Sequence, residues 1–133
     1  MKVILGMGCD RGTPQQTLET TVDLALQEAG LSRDAIFALA TIDKKNDEDA
    51  LLALSSQHGW PLNFYSAAQL SAVEVPNPSE VVRKYMGTPA VAEAAALLAA
   101  DTGMEDLIVE KVKYRGADNR NATVSIVRIR NAS

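Results

Sequence analysis

Cysteine and histidine each occur once, as Cys9 and His58. A single cysteine cannot close an internal disulfide, so nothing in the chain calls for an oxidising compartment. The same scarcity excludes a metal site built from Cys and His clusters, and no motif surrounds His58 that would make it part of a Ser–His–Asp triad. A basic excess is missing too. The formal net charge is -4, which argues against non-specific nucleic-acid binding, and no Lys/Arg run offers a polybasic membrane patch. Long hydrophobic runs are absent. The longest apolar stretch, Ala90–Ala100, is interrupted by Glu93 and is too short to span a bilayer. The opening Met1–Gly6 has too short an apolar run for a signal peptide. The expectation is a cytoplasmic chain that engages neither nucleic acid nor membrane.

What is present is ordinary globular material. The chain has 133 residues, 47% hydrophobic and 23% charged, enough for one domain over residues 1–133 with a real core. Strand and helix signals alternate. Val3–Met7 is a short apolar run ended by glycine, which reads as a buried strand. Thr13-Pro14-Gln15-Gln16 reads as a helix start, with Thr13 as cap and Gln16 completing a capping box; Gly30 stops that helix. A strand over Ile36–Ile42 and a helix over Asp47–Gln57, stopped by Gly59, come next. Leu62–Tyr65 is a short strand, and Ser66-Ala67-Ala68-Gln69 a second capping box. Asn77-Pro78-Ser79-Glu80 follows the same logic. Thr88-Pro89 opens an Ala-rich helix that runs to about Ala100. Leu107–Tyr114 and Ala122–Arg130 read as strands joined by a polar turn, a hairpin. In the last strand the apolar parity switches between Ile126 and Val127, which fits either a bulge or burial on both faces. The pattern predicts a three-layer α/β/α sandwich with a mainly parallel, mixed sheet and a C-terminal β-hairpin.

Ligands of such sheets bind beyond the carboxyl ends of the strands, which brings the loops after the first three strands together. The richest is Gly6-Met7-Gly8-Cys9-Asp10-Arg11-Gly12-Thr13. Its glycines permit close backbone approach, free amides at a helix start attract anions, and Arg11 adds a charged fork. It also reads as a plain strand-to-helix turn with Arg11 in water. It is no dinucleotide fingerprint, because the third glycine falls one place late at Gly12, and it lacks the Lys-Ser/Thr ending of a P-loop. Cys9 sits where thiolate would be favoured, yet no local histidine activates it, so a half-buried side chain is the simpler reading. In Thr41-Ile42-Asp43-Lys44-Lys45, Asp43 offers an acid/base group and Lys44 and Lys45 offer partners for carboxylates; a solvated loop paired with Asp47, Glu48 and Asp49 is the plainer alternative. Lys111 and Lys113 share one face of their strand, either as a basic wall or as protection for a sheet edge. Trp60 and Tyr65 read as packing residues.

Taken in order, Gly6–Thr13, Thr41–Lys45, Tyr65-Ser66-Ala67, Val75–Ser79, Gly87–Ala95 and Lys111-Val112-Lys113 resemble the CobE / CbiG C-terminal-domain family of cobalamin (vitamin B12) biosynthesis. Each stretch is modestly specific; the ordered set covers nearly the whole chain. Tyr114–Asn121 is longer than the short turn expected before the last strand. The resemblance implies a role on a corrin ring. CbiG opens the δ-lactone of cobalt-precorrin-5A and releases acetaldehyde. Precorrins carry many acetate and propionate carboxylates, and the ligand-binding candidates Gly6, Gly8, Cys9, Arg11, Gly12, Thr13, Asp43, Lys44, Lys45, Ser66, Thr88, Lys111 and Lys113 suit such a ligand. On an acidic protein these cations must then be locally concentrated.

Three functions are compatible with this pattern. The first is a binding or transfer module for a precorrin or cobalt-precorrin, working beside other cobalamin biosynthesis enzymes. The second is lactone hydrolysis, with Asp43 as the one nameable base and loop amides for the oxyanion. The third, nucleotide binding, lacks its motif. No resident cofactor or metal is expected; cobalt enters only if the corrin carries it.

Overall fold

The computed structural model describes residues 1–73 and 91–130. Among them are five strands, β1 (Val3–Cys9), β2 (Ile36–Ile42), β3 (Leu62–Tyr65), β4 (Leu107–Arg115) and β5 (Asn121–Arg128), and four α-helices, α1 (Gln15–Ala29), α2 (Asp49–His58), α3 (Ala67–Ser71) and α4 (Val91–Ala100). The strands form one sheet in the order β3-β2-β1-β5-β4. β1, β2 and β3 pair in parallel, and β5 runs antiparallel to both β1 and β4. The expected mixed α/β sandwich with a terminal hairpin is therefore the fold.

Two cores lie on opposite faces of the sheet. On one, Val3, Leu5 and Met7 of β1 and Val124 and Ile126 of β5 pack against Leu18, Val22, Ala25 and Leu26 of α1 and Leu51 and Leu54 of α2. On the other, Ile4 and Val127 pack with Ala94, Ala95, Ala96 and Leu97 of α4 and Leu70 of α3. Period-2 alternation along each strand makes this division. Each fully buried leucine contributes about 1.5–3 kcal/mol. The parity switch in β5 is resolved as burial on both faces: Ile126 belongs to the first core and Val127 to the second. The register shifts of the β4–β5 pair place the extra residues in β4, while β5 pairs without interruption to β1.

α4 sits unusually close to the sheet, and one residue explains it. A Cβ at Gly6 would lie 1.8 Å from the Ala92 carbonyl oxygen. Only a glycine on β1, facing a helix of alanines, allows that approach.

Gly30 and Gly59 cap α1 and α2 in the left-handed conformation, and Ser66 and Gln69 form the complete capping box at α3. The Thr13 capping box does not form. α1 begins at Gln15 with Pro14 as its extended cap residue and no side-chain cap, because Thr13 Oγ1 donates instead to the Asp10 carbonyl at 2.6 Å. α2 begins two residues later than expected, at Asp49. The cap at Asn77, the helix start at Thr88 and the Val75–Ser79 stretch lie outside the described residues.

Candidate functional site

The carboxyl ends of β1 and β2, the first described residues of α4 and the α4-facing side of the β4–β5 hairpin enclose a cavity of about 410 Å³. Its making follows from β1. Gly6 admits α4, and Gly8, two residues on and on the same face, keeps the space beyond open. A Cβ at Gly8 would meet only Thr123, 3.9 Å away. Across the sheet Gly8 pairs with Thr123, and Thr123 with Lys113. The two-residue period then puts Lys111 on the same face as Lys113.

Gly8, Cys9, Arg11, Lys45, Lys111 and Lys113, all named from the sequence, line this cavity together. Four cations, Arg11, Lys45, Lys111 and Lys113, share the lining with two acids, Asp10 and Glu93. Lys111 and Lys113 are exposed and Lys45 half-buried. Arg11 is already engaged: Nη1 lies 2.8 Å from Asp47 Oδ1 and 3.2 Å from Glu48 Oε2, and Nη2 donates to the Lys44 carbonyl at 3.2 Å. The Arg11 guanidinium holds the Asp47 carboxyl below its ordinary range. So the acids after β2 pair with Arg11, where the sequence suggested Lys44 and Lys45. Burial pushes the Cys9 thiol up to about 11, with Lys45 the largest opposing influence. That shift favours the thiol over the nucleophilic thiolate, and the side chain is half-buried.

The other candidates stand apart. Gly6 lies beneath the cavity as a packing residue. Gly12 has positive φ and donates its amide to Glu48 Oε1 at 2.9 Å, while Thr13 is buried with its hydroxyl committed to Asp10. Asp43 and Lys44 are exposed on a 3-10 turn outside the lining. Ser66 is used by the capping box of α3. Thr88 lies outside the described residues. Away from the cavity, Trp60 is buried and stacks on His58 at 4.4 Å between centroids, a packing role for both.

The hairpin turn shapes one end of the cavity. The turn over residues 116–120 closes through Gly116 N–H to the Arg120 carbonyl at 2.9 Å. Arg120 Nε donates to the Arg11 carbonyl at 3.1 Å, and the Asn121 amide donates to Asp10 Oδ2 at 2.8 Å. The extra length of this segment thus clasps the glycine loop.

The sequence reading missed Asp10, Thr41, Asn121 and Thr123 of the lining, and above all Glu93. Glu93 is 1% exposed, and burial raises its carboxyl above the ordinary range against the opposing charge of Lys111. A lone acid in an alanine helix was its visible signal. Among the described residues no group of three or more His, Cys, Asp or Glu side chains could hold a metal, and no helix is long and apolar enough to cross a membrane.

Comparison with known proteins agrees with this architecture. A family model described as cobalamin synthesis G C-terminus matches residues 3–127. The chain is 35% identical over 125 residues to a cobalt-precorrin-5A hydrolase of Priestia megaterium, covering 94% of this chain and 32% of that protein. It therefore spans about a third of the length of that relative. It is 39% identical over 113 residues to Protein CobE of a Sinorhizobium species, covering 83% and 72% of the two chains. The crystal structure of CobE, a protein from the cobalamin (vitamin B12) biosynthetic pathway, superposes with a TM-score of 0.78 at 32% identity over 96% of this chain and 91% of that one.

Proposed function

The chain belongs to the cobalamin synthesis G C-terminus family, and on that premise we propose that its cavity binds the carboxylate-bearing edge of a precorrin or cobalt-precorrin, as an accessory or transfer module. The chain is a cobalamin biosynthesis protein of CobE / CbiG C-terminal type. One observation carries the finer reading: Lys45, Lys111 and Lys113 converge on one cavity of a chain whose net charge is -4. Each lysine that meets a carboxylate adds a charge-assisted hydrogen bond of about 1.5–3 kcal/mol. Lysine suits the task because its single mobile charge follows flexible acetate and propionate arms. Arg11, held by Asp47 and Glu48, frames the rim. A volume of about 410 Å³ accepts an edge of a four-ring macrocycle with its arms, not the whole ring.

A second reading, lactone opening, is favoured by the similarity to the cobalt-precorrin-5A hydrolase of Priestia megaterium. It draws no support from Asp43, which stands outside the cavity lining. Anaerobic titration of the purified chain with cobalt-precorrin-5A separates the two. A saturable change in the visible spectrum without acetaldehyde is the outcome expected of a binding module. Acetaldehyde formed with turnover would replace that reading by hydrolysis, and no spectral change at all would remove both.

A further inference from the structure

Glu93 lines the cavity and is nevertheless 1% exposed. Its Oε2 has no hydrogen-bond partner among the described residues. Its Oε1 lies 3.5 Å from Ser125 Oγ, and that contact is not a donation from the serine. A hydroxyl carries one proton. Ser125 gives it to the Glu110 carbonyl at 2.6 Å, and a carbonyl can only accept. Ser125 therefore turns lone pairs toward Glu93. An ionised Glu93 thus receives no proton from Ser125. The flanking residues on α4, Ala92, Ala94, Ala95 and Ala96, bring no side-chain donor, and a backbone hydrogen bond is the one donor left to the carboxyl among the described residues.

We propose that Glu93 is the cavity's neutral hydrogen-bond donor, its carboxylic acid offering a proton to an uncharged carbonyl oxygen of the ligand, such as that of a lactone. This rests on the reading of the cavity as a corrin site and deepens it. The lysines take the carboxylates, and Glu93 takes an edge that bears no charge. An ionised Glu93 would repel the carboxylate arms that the lysines attract; an acid does not. Burial favours the protonated form. Sharing the lining with it are Lys111 and Lys113 from β4, Lys45 after β2, and Cys9, Asp10 and Arg11 at and beyond the end of β1. Lys111 and a backbone hydrogen bond at Glu93 oppose protonation, and Glu110 on β4 favours it.

Two measurements on the full chain test this. The first follows the carboxyl carbons of glutamate by nuclear magnetic resonance, with Glu93→Gln assigning the signal. A carboxyl midpoint above that of an ordinary glutamate is expected. An ordinary midpoint overturns the donor role. The second compares two probes, cobyrinic acid and its c-lactone. Glu93→Ala is expected to weaken lactone binding about tenfold while leaving cobyrinic acid within about twofold, and Glu93→Gln, whose amide still donates, stays near wild type with both. Equal losses on the two probes, or none on the lactone, overturn the proposal. Failure of the wild-type chain to bind either probe overturns the corrin reading itself, an outcome distinct from an ordinary Glu93 midpoint in a chain that binds both.

Discussion

Asp106 and Glu93 are two carboxyl groups on residues equally hidden from solvent, each 1% exposed, and they behave in opposite ways. Asp106 precedes β4, near where Leu107 pairs with Val127, far from the cavity. It accepts hydrogen bonds from Thr102 Oγ1, from Arg128 Nε and Nη2 at 3.1 and 2.7 Å, and from Arg130 Nε at 2.7 Å. Those donors, Thr102 and Arg130 foremost, hold its carboxyl far below the usual range. Glu93 has an orphaned oxygen and a raised carboxyl. Low exposure is common to both; Glu93 lies deeper among protein atoms, and Asp106 has the fuller supply of donors. A buried acid with its donors complete ties chain segments together. One left incomplete at a cavity marks where a ligand finishes the arrangement.

The sharpest way to break this contrast is by stability. Asp106→Asn removes the charge facing two arginines and is expected to lower Tm by roughly 10 °C. Glu93→Gln is expected to change Tm by no more than about 3 °C. Thermal denaturation followed by circular dichroism compares them, and equal losses would erase the distinction.

Binding should show the reverse order. Lys111→Ala with Lys113→Ala is expected to weaken cobyrinic acid binding by about 10–100-fold with Tm nearly unchanged, read by isothermal titration calorimetry. Asp106→Asn should leave that affinity within about twofold at a temperature where it is folded.

The pH dependence of stability carries opposite signs at the two sites. Asp106 is lowered from an ordinary value of 3.8. Its contribution is complete above that value and is lost as pH falls through the lower folded value. Glu93 is raised from 4.5. The folded state then binds more protons than the unfolded one, so its contribution is complete below 4.5 and lost as pH rises through the folded midpoint. Urea denaturation across pH should show a shallower acid slope for Asp106→Asn and a lost decline above about pH 4.5 for Glu93→Gln.

The smallest effect is expected at Arg11. Its exposed guanidinium is already paired with exposed Asp47 and buried Glu48, so little of its charge is free for a ligand. Arg11→Ala should weaken cobyrinic acid binding by less than about threefold. A loss as large as that of the β4 lysines would place Arg11 on the ligand.

Much of this was legible in the sequence because it is local. The β3 limits at Leu62–Tyr65, the glycine stops of α1 and α2 and the Ser66–Gln69 box depend on residues within a few places of one another. Lys111 and Lys113 were found on one face by strand periodicity alone. What escaped was settled at long range. Thr13 gave up its cap because Asp10, itself held by Asn121, needed the hydroxyl. Arg11 turned to acids after β2, more than thirty residues away. Glu93 interrupts an apolar run in the sequence, but its missing partner is visible only once Ser125 is seen giving its proton to Glu110.

Gly6 never meets the cavity, yet it sets the cavity's depth. A methyl group there would stand 1.8 Å from Ala92 and would lift α4 off the sheet, and Glu93 follows Ala92 by one position. The floor of the site is thus gauged by the absence of a single carbon atom one layer below. Recognition in this scaffold can be retuned by altering how closely a helix lies on a strand, with every residue that touches the ligand left as it is.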